Sequence, residues 1–169
     1  VPEVNRCQLN LLDSHDVPRA LHTLKGDGQA LALAMLLLML QPGAPCLYYG
    51  TEVGLEGGPE PGCREAMPWE APWPHDLRKL ILTLTKIRQQ VEAVRDRGLL
   101  WQAYTPDGLM GRAPGVVVVV NRSRRKALPL ESHDVAQVGW DTDGALIGTY
   151  QEARHTLGPQ SAVLFKALG

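Results

Sequence analysis

Cys7-Gln8-Leu9-Asn10-Leu11-Leu12 runs directly into Asp13-Ser14-His15-Asp16. The first six residues carry apolar side chains on both faces, the pattern of a strand covered on both sides, as in a parallel sheet. Downstream, Gly28 to Leu40 is apolar almost all round and predicts a buried helix, which Gln41-Pro42-Gly43 stops. Cys46-Leu47-Tyr48-Tyr49 predicts a second short buried strand ended by Gly50, followed by a Gly- and Pro-rich loop of about 25 residues. Asp76 is a plausible N-cap for the next helix. In it, Leu77, Leu80, Ile81, Leu84, Ile87, Val91 and Val94 keep helical spacing up to Gly98, a natural stop. Strand followed by helix, twice, is the order of a parallel α/β fold. Two strands leave their edges unpaired, so such a sheet is incomplete on its own.

Past residue 97 the texture changes. Leu99–Tyr104, Leu109–Arg112, Val116–Asn121, Ala127–Leu130, Val135–Trp140, Ala145–Tyr150 and Ser161–Lys166 are short β-prone runs. They predict an antiparallel sandwich or barrel. Thr105-Pro106-Asp107-Gly108 is a strong turn signal, and the unbroken valines 116–120 suit a central strand. The expected domains are therefore 1–97, α/β, and 98–169, all-β.

Composition narrows the function classes. The net charge is −1 over 169 residues, with no excess of positive charge to attract nucleic acid or an anionic membrane. The longest apolar run, Ala30 to Leu40, is too short to span a bilayer. Val1-Pro2-Glu3-Val4-Asn5-Arg6 shows no basic start followed by an apolar run, so no targeting segment is expected. Cys7, Cys46 and Cys63 are odd in number and lack CxxC spacing, which argues against a disulfide scaffold or a cysteine zinc site. Reduced, mostly buried thiols and a cytoplasmic setting are expected.

Ser14-His15-Asp16 stands at a strand end, where functional groups of parallel α/β folds sit. It reads either as a ligand-binding His–carboxylate pair or as a strand-to-helix turn capped by local amides. Ser132-His133-Asp134 repeats the tripeptide in the β-rich half, where a polar turn is the better reading. Neither is a hydrolase triad, whose members meet in space rather than in sequence, and the chain lacks a GxSxG elbow. Gly54 to Gly62 lacks a following Gly-Lys-Ser/Thr and is no phosphate loop. Asp141-Thr142-Asp143-Gly144 begins like a calcium loop but has no Glu at the twelfth position, so a turn is expected. Asn121-Arg122-Ser123 matches a glycosylation sequon, irrelevant without secretion. Tyr48, Tyr49, Trp69 and Trp73 gather at the second strand end and in the long loop. Flat rings beside polar groups suit sugar faces, and they equally suit core packing. Arg64 and Glu70 predict an ion pair within the loop.

Asn10-Leu11-Leu12-Asp13-Ser14-His15-Asp16-Val17-Pro18-Arg19 resembles the motif that closes the seventh barrel strand of the α-amylase family. The likeness is to the neopullulanase, cyclomaltodextrinase and maltogenic amylase branch. Pro42-Gly43-Ala44-Pro45-Cys46-Leu47-Tyr48-Tyr49-Gly50-Thr51-Glu52-Val53-Gly54 resembles the eighth strand and its loop. The likeness continues through Gly57 to Arg64 and Met67-Pro68-Trp69-Glu70. The resemblance implies the last two βα units of a TIM (β/α)8 barrel over 1–97, then a C-terminal antiparallel β-sandwich over 98–169. It implies that Asp16 is the transition-state-stabilising carboxylate and that His15 bonds sugar hydroxyls. Tyr48, Tyr49, Arg64 and Trp69 then line the substrate site. Thr51 departs from the acidic residue common after Tyr-Tyr-Gly, and Val17 from the usual Thr.

A retaining glycosidase also needs a nucleophile and a proton donor about 5 Å apart. In this family both come from the fourth and fifth strands, which have no counterpart among these residues. Three readings follow. The chain is the C-terminal part of such a hydrolase and inactive alone, a non-catalytic α-glucan-binding module, or a structural module whose open edge is covered by oligomerisation. The partners implied are an α-glucan or maltooligosaccharide and either the missing N-terminal barrel segment or a second copy of the chain, with no nucleic acid and no membrane. No cofactor is implied. Calcium occurs in the family, but no metal site is identified in the sequence.

Overall fold

The computed structural model describes residues 2–131 and 140–167. The chain divides into two compact units, Val1–Arg97 and Gly98–Gly169.

The first unit opens with a short helix α1 (Pro2–Arg6) and strand β1 (Leu9–Asn10), followed by α2 (Ala20–Thr23), α3 (Gly28–Leu40) and strand β2 (Ala44–Pro45). The strands run parallel, with Leu9 opposite Ala44 and Asn10 opposite Pro45. The amides of Ala44 and Cys46 donate to Gln8 and Asn10. Pro45, which has no N–H, thus leaves its missing donor on the opposite edge. Gly43 permits the pairing. Its φ is +94°, and a Cβ there would stand 2.5 Å from the Gln8 carbonyl oxygen.

Both strands are shorter than their sequence implies, and the second begins two residues earlier than expected. Cys46–Tyr49 lies past the ladder. Nor is the first strand covered on both faces, since Leu9 is 65% and Leu11 47% exposed. Among the described residues β1 has one strand neighbour, β2.

Helix α3 spans the expected residues. The Asp27 carboxylate caps it by accepting from the Ala30 amide at 3.0 Å. Leu31, Leu33, Met35, Leu36 and Leu40 are buried. Helix α4 (His75–Gln90) packs against α3 through a stripe of Leu77, Leu80, Leu84 and Ile87. Asp76 does not cap it. Pro74 holds the cap position, and Asp76 sits in the first turn, where its charge complements the helix dipole. The single helix expected through Val94 is two. Val91 leaves the helical region (φ −100°, ψ 97°), and α5 (Glu92–Arg97) follows, with Gly98 at φ +66° ending it.

Arg88 closes the far end of α3. Its guanidinium donates to the carbonyls of Met39 at 2.9 Å and Gln41 at 3.0 Å, and to that of Gly43. The first two are carbonyls that a helix end leaves unpaired. Burial lowers the affinity of Arg88 for its proton, yet an Arg starts so high that the charge persists.

The second unit holds β3 (Leu100–Thr105), β4 (Gly108–Ala113), β5 (Val116–Asn121), β6 (Leu128–Pro129), β7 (Trp140–Ile147), β8 (Tyr150–Gln151), β9 (Thr156–Leu157) and β10 (Ser161–Ala167). One antiparallel sheet has the order β3-β4-β5-β10-β7, and a smaller one β6-β9-β8. Thr105 pairs with Gly108 across the expected Pro106-Asp107 turn. Strand β5 is central, and all its residues are buried. Met110, Val117, Val163 and Phe165 of the larger sheet form one core with Leu128 and Leu157 of the smaller.

Asp141-Thr142-Asp143-Gly144 is not a turn. It lies in β7, with Thr142 opposite Phe165, so ladder pairing overrides its polar composition. The Asn121 amide donates to the carbonyls of Lys126 and Gly158 in the interior, which closes that sequon to modification. Ser132-His133-Asp134 lies outside the described residues. No helix among the described residues is long and apolar enough to cross a membrane. Arg88→Met should lower stability by about 1–3 kcal/mol, read by urea denaturation, because the carbonyls that Arg88 bonds lose a charged donor.

Candidate functional site

The segment after β1 carries two layers of polar groups. The inner layer is buried. Asp13 is 3% exposed. Its carboxylate accepts from the Ala20 amide at 2.9 Å and from the Thr51 hydroxyl at 2.9 and 3.0 Å. It therefore ties the start of α2 to the turn after β2. Arg19 is wholly buried. Its amide donates to Gly57 at 2.9 Å, and its guanidinium donates to the Tyr49 carbonyl. The guanidinium carbon lies 4.1 Å from the centre of the Tyr48 ring and 4.5 Å from that of Tyr49.

The outer layer is exposed. His15 Nε2 lies 3.2 Å from Asp16 Oδ1, with both side chains about two-thirds exposed. Arg64 Nη2 lies 3.6 Å from the same carboxylate and 3.0 Å from Glu60. The His15 carbonyl accepts from Arg64 Nε at 3.0 Å and from Cys63 Sγ at 3.2 Å. Exposed ion pairs of this kind contribute about 0–1 kcal/mol each. Their effect is orientation: the 60–64 segment is held over His15 and Asp16.

The structure thus brings together His15, Asp16 and Arg64, and beside the inner layer Tyr48 and Tyr49. The four aromatics expected as one cluster form two pairs. Tyr48 and Tyr49 meet edge to face at 4.6 Å, and Trp69 and Trp73 are tilted at 5.6 Å. The Tyr49 hydroxyl donates to the Glu65 carbonyl at 2.8 Å, so the pair is anchored to the loop. Trp73 Nε1 donates to Pro68 at 2.8 Å, and Trp69 stands 74% exposed. Partial burial, then the neighbouring Tyr49 hydroxyl, raises the Tyr48 phenol above its ordinary range, with Arg19 opposing.

The expected Arg64–Glu70 pair does not form, because Arg64 is engaged by Glu60 and Asp16. The thiols are not mostly buried either. All three are unpaired, but Cys7 is exposed, Cys46 intermediate and Cys63 buried. No group of three or more His, Cys, Asp or Glu side chains fit to hold a metal occurs among the described residues.

A family model described as "Alpha amylase, catalytic domain" matches residues 2–100. The chain belongs to the α-amylase family. It is 43% identical over 94 residues to a cyclomaltodextrinase of Bacillus sp, a match covering 55% of this chain and 17% of that protein. A cyclomaltodextrinase of Geobacillus thermopakistaniensis (strain MAS1) is 33% identical over 132 residues, or 74% of this chain and 22% of the relative. Among solved structures, the ligand-free cyclic α-maltosyl-(1→6)-maltose hydrolase from Arthrobacter globiformis superposes with a TM-score of 0.74 at 32% identity. That match covers 95% of this chain and 35% of the other. The chain spans about a fifth of the length of these two curated relatives.

Sequence reasoning missed Asp13, Arg19, Glu60 and Cys63. Thr51, which stands where the resemblance implied an acidic residue, donates its hydroxyl to Asp13. An acid at 51 would face a buried carboxylate, like charge against like, whereas a hydroxyl donates to it. The signal available was the acid immediately before Ser14-His15-Asp16 together with the missing acid after Tyr-Tyr-Gly. Thr51→Val should cost about 1–3 kcal/mol in chemical denaturation, because it leaves the buried Asp13 without that donor.

Proposed function

We propose that this chain is part of an α-amylase-family glycosidase acting on maltooligosaccharides and related α-glucans. In this reading residues 1–97 supply the last two βα units of the catalytic barrel, and 98–169 form its C-terminal antiparallel β-sandwich. The observation that carries it is the exposed Asp16 carboxylate in the segment after β1, with His15 at 3.2 Å and Arg64 at 3.6 Å. An exposed carboxylate there hydrogen-bonds sugar hydroxyls and opposes the positive charge that grows on the ring as the glycosidic bond breaks. His15 bonds the hydroxyls next to the scissile bond, and Arg64 holds Asp16 while offering a donor to the sugar. Tyr48, Tyr49 and Trp69 supply flat apolar surface for the sugar's C–H faces. Trp69 standing exposed on Trp73 also favours glucan binding without catalysis as a second reading. A cytoplasmic setting is proposed on the three unpaired thiols.

Asp16 alone can neither form a glycosyl-enzyme nor protonate a leaving group. Losing either group costs orders of magnitude in rate, since such groups act as a unit. The 169-residue chain should therefore show no turnover of cyclodextrin, pullulan or maltooligosaccharide. Sustained hydrolysis abolished by Asp16→Ala would overturn that expectation. Calorimetric titration with maltotriose should show millimolar binding, weakened about fivefold by Trp69→Ala through loss of one stacking surface. A flat titration at millimolar sugar would count against the binding residues assigned here.

A further inference from the structure

Arg19 is a buried cation compensated in an unusual way. It is wholly buried, and among the described residues its Nε and Nη2 have no hydrogen-bond partner. Its remaining contacts are the Tyr49 carbonyl and the faces of the Tyr48 and Tyr49 rings, at 4.1 and 4.5 Å. A buried charge is costly unless something answers it. Here the negative faces of two aromatic rings supply the electrostatic partner, and a planar guanidinium can lie against such a face as an ammonium cannot.

The same residue joins the long loop to the segment after β2. Its backbone amide holds Gly57 in the long loop, its guanidinium holds the main chain at Tyr49, and the guanidinium carbon lies over both rings. Tyr48 and Tyr49 follow β2 outside the strand ladder, so the parallel pairing does not orient them. From these contacts we infer that Arg19 is the positioning residue for the Tyr48–Tyr49 pair, holding the rings in the arrangement in which they meet a sugar. The sugar contact rests on the function proposed above, whereas the holding of the rings does not.

Ring currents give a readout that needs no substitution. In the unsubstituted chain the Arg19 δ-methylene protons should appear upfield of ordinary arginine in the proton NMR spectrum, and Tyr48→Leu should move them back. Arg19→Lys keeps the charge and loses the plane, and Arg19→Met keeps the stem and loses both. Each should flatten the near-ultraviolet circular dichroism of the tyrosines at temperatures where the far-ultraviolet spectrum still reports a folded chain. Each should also weaken maltotriose binding about tenfold.

A double-substitution cycle covers the case in which a variant folds poorly. Tyr48→Leu should destabilise the chain about five- to thirtyfold more in the unfolding constant when Arg19 is present than in combination with Arg19→Met. Arginine protons at ordinary shifts, or additive effects in the cycle, would overturn the proposal whatever the sugar titration shows. Absence of maltotriose binding by the unsubstituted chain would instead overturn the sugar-contact reading, and the ring-current shift would still decide whether Arg19 holds the pair.

Discussion

The buried carboxylate of Asp13 joins the two strand-end segments on which the candidate site is built. It accepts from the amide that begins α2 and from the hydroxyl of Thr51 beyond β2. Buried charge is tolerated where hydrogen bonds satisfy it, so each partner becomes a requirement of the other. With Asp13 in place, the chain between it and Ala20 is drawn into a tight excursion. His15 and Asp16 lie at its exposed crest and Arg19 at its buried root. The exposed pair available to a ligand and the buried cation beneath the tyrosines thus come from one short segment.

Around that anchor the first unit separates stability from display. Helices α3 and α4 bury the apolar stripe, and Arg88 closes the helix end between them. The 60–64 segment lies on the exposed side, where its ion pairs contribute little energy but keep charged groups in register. Such a division suits a site whose surface groups exchange water for ligand while the scaffold stays fixed.

Much of the fold was legible in local pattern. Helix α3 begins and ends where an all-round apolar run and its Pro-Gly stop place it, and β5 is the central strand that consecutive valines require. The turn at Pro106-Asp107 and the stop at Gly98 follow from residues with restricted backbone choices. Where pattern and structure part, pairing partners explain the difference. Cys46–Tyr49 has strand composition but lies outside the ladder, and Asp141–Gly144 has turn composition but is held in a strand by β10. The break at Val91 has no counterpart in the apolar spacing, which continues to Val94 across it.

The candidate site divides the same way. Local sequence determined that a His–Asp pair follows a strand, that two tyrosines follow the next one, and that the order of these motifs is that of the α-amylase family. All of this is carried by residues adjacent in the chain. Tertiary structure decided that Arg64 pairs with Asp16 and Glu60 rather than Glu70, that the aromatics form two pairs, and that Asp13 and Arg19 are interior. Those outcomes depend on which distant groups meet when the loop folds back, with Thr51 reaching Asp13 across 38 positions and Arg64 reaching the His15 carbonyl across 49. Burial and pairing at such separations are properties of the packed chain, and no spacing rule along the sequence encodes them.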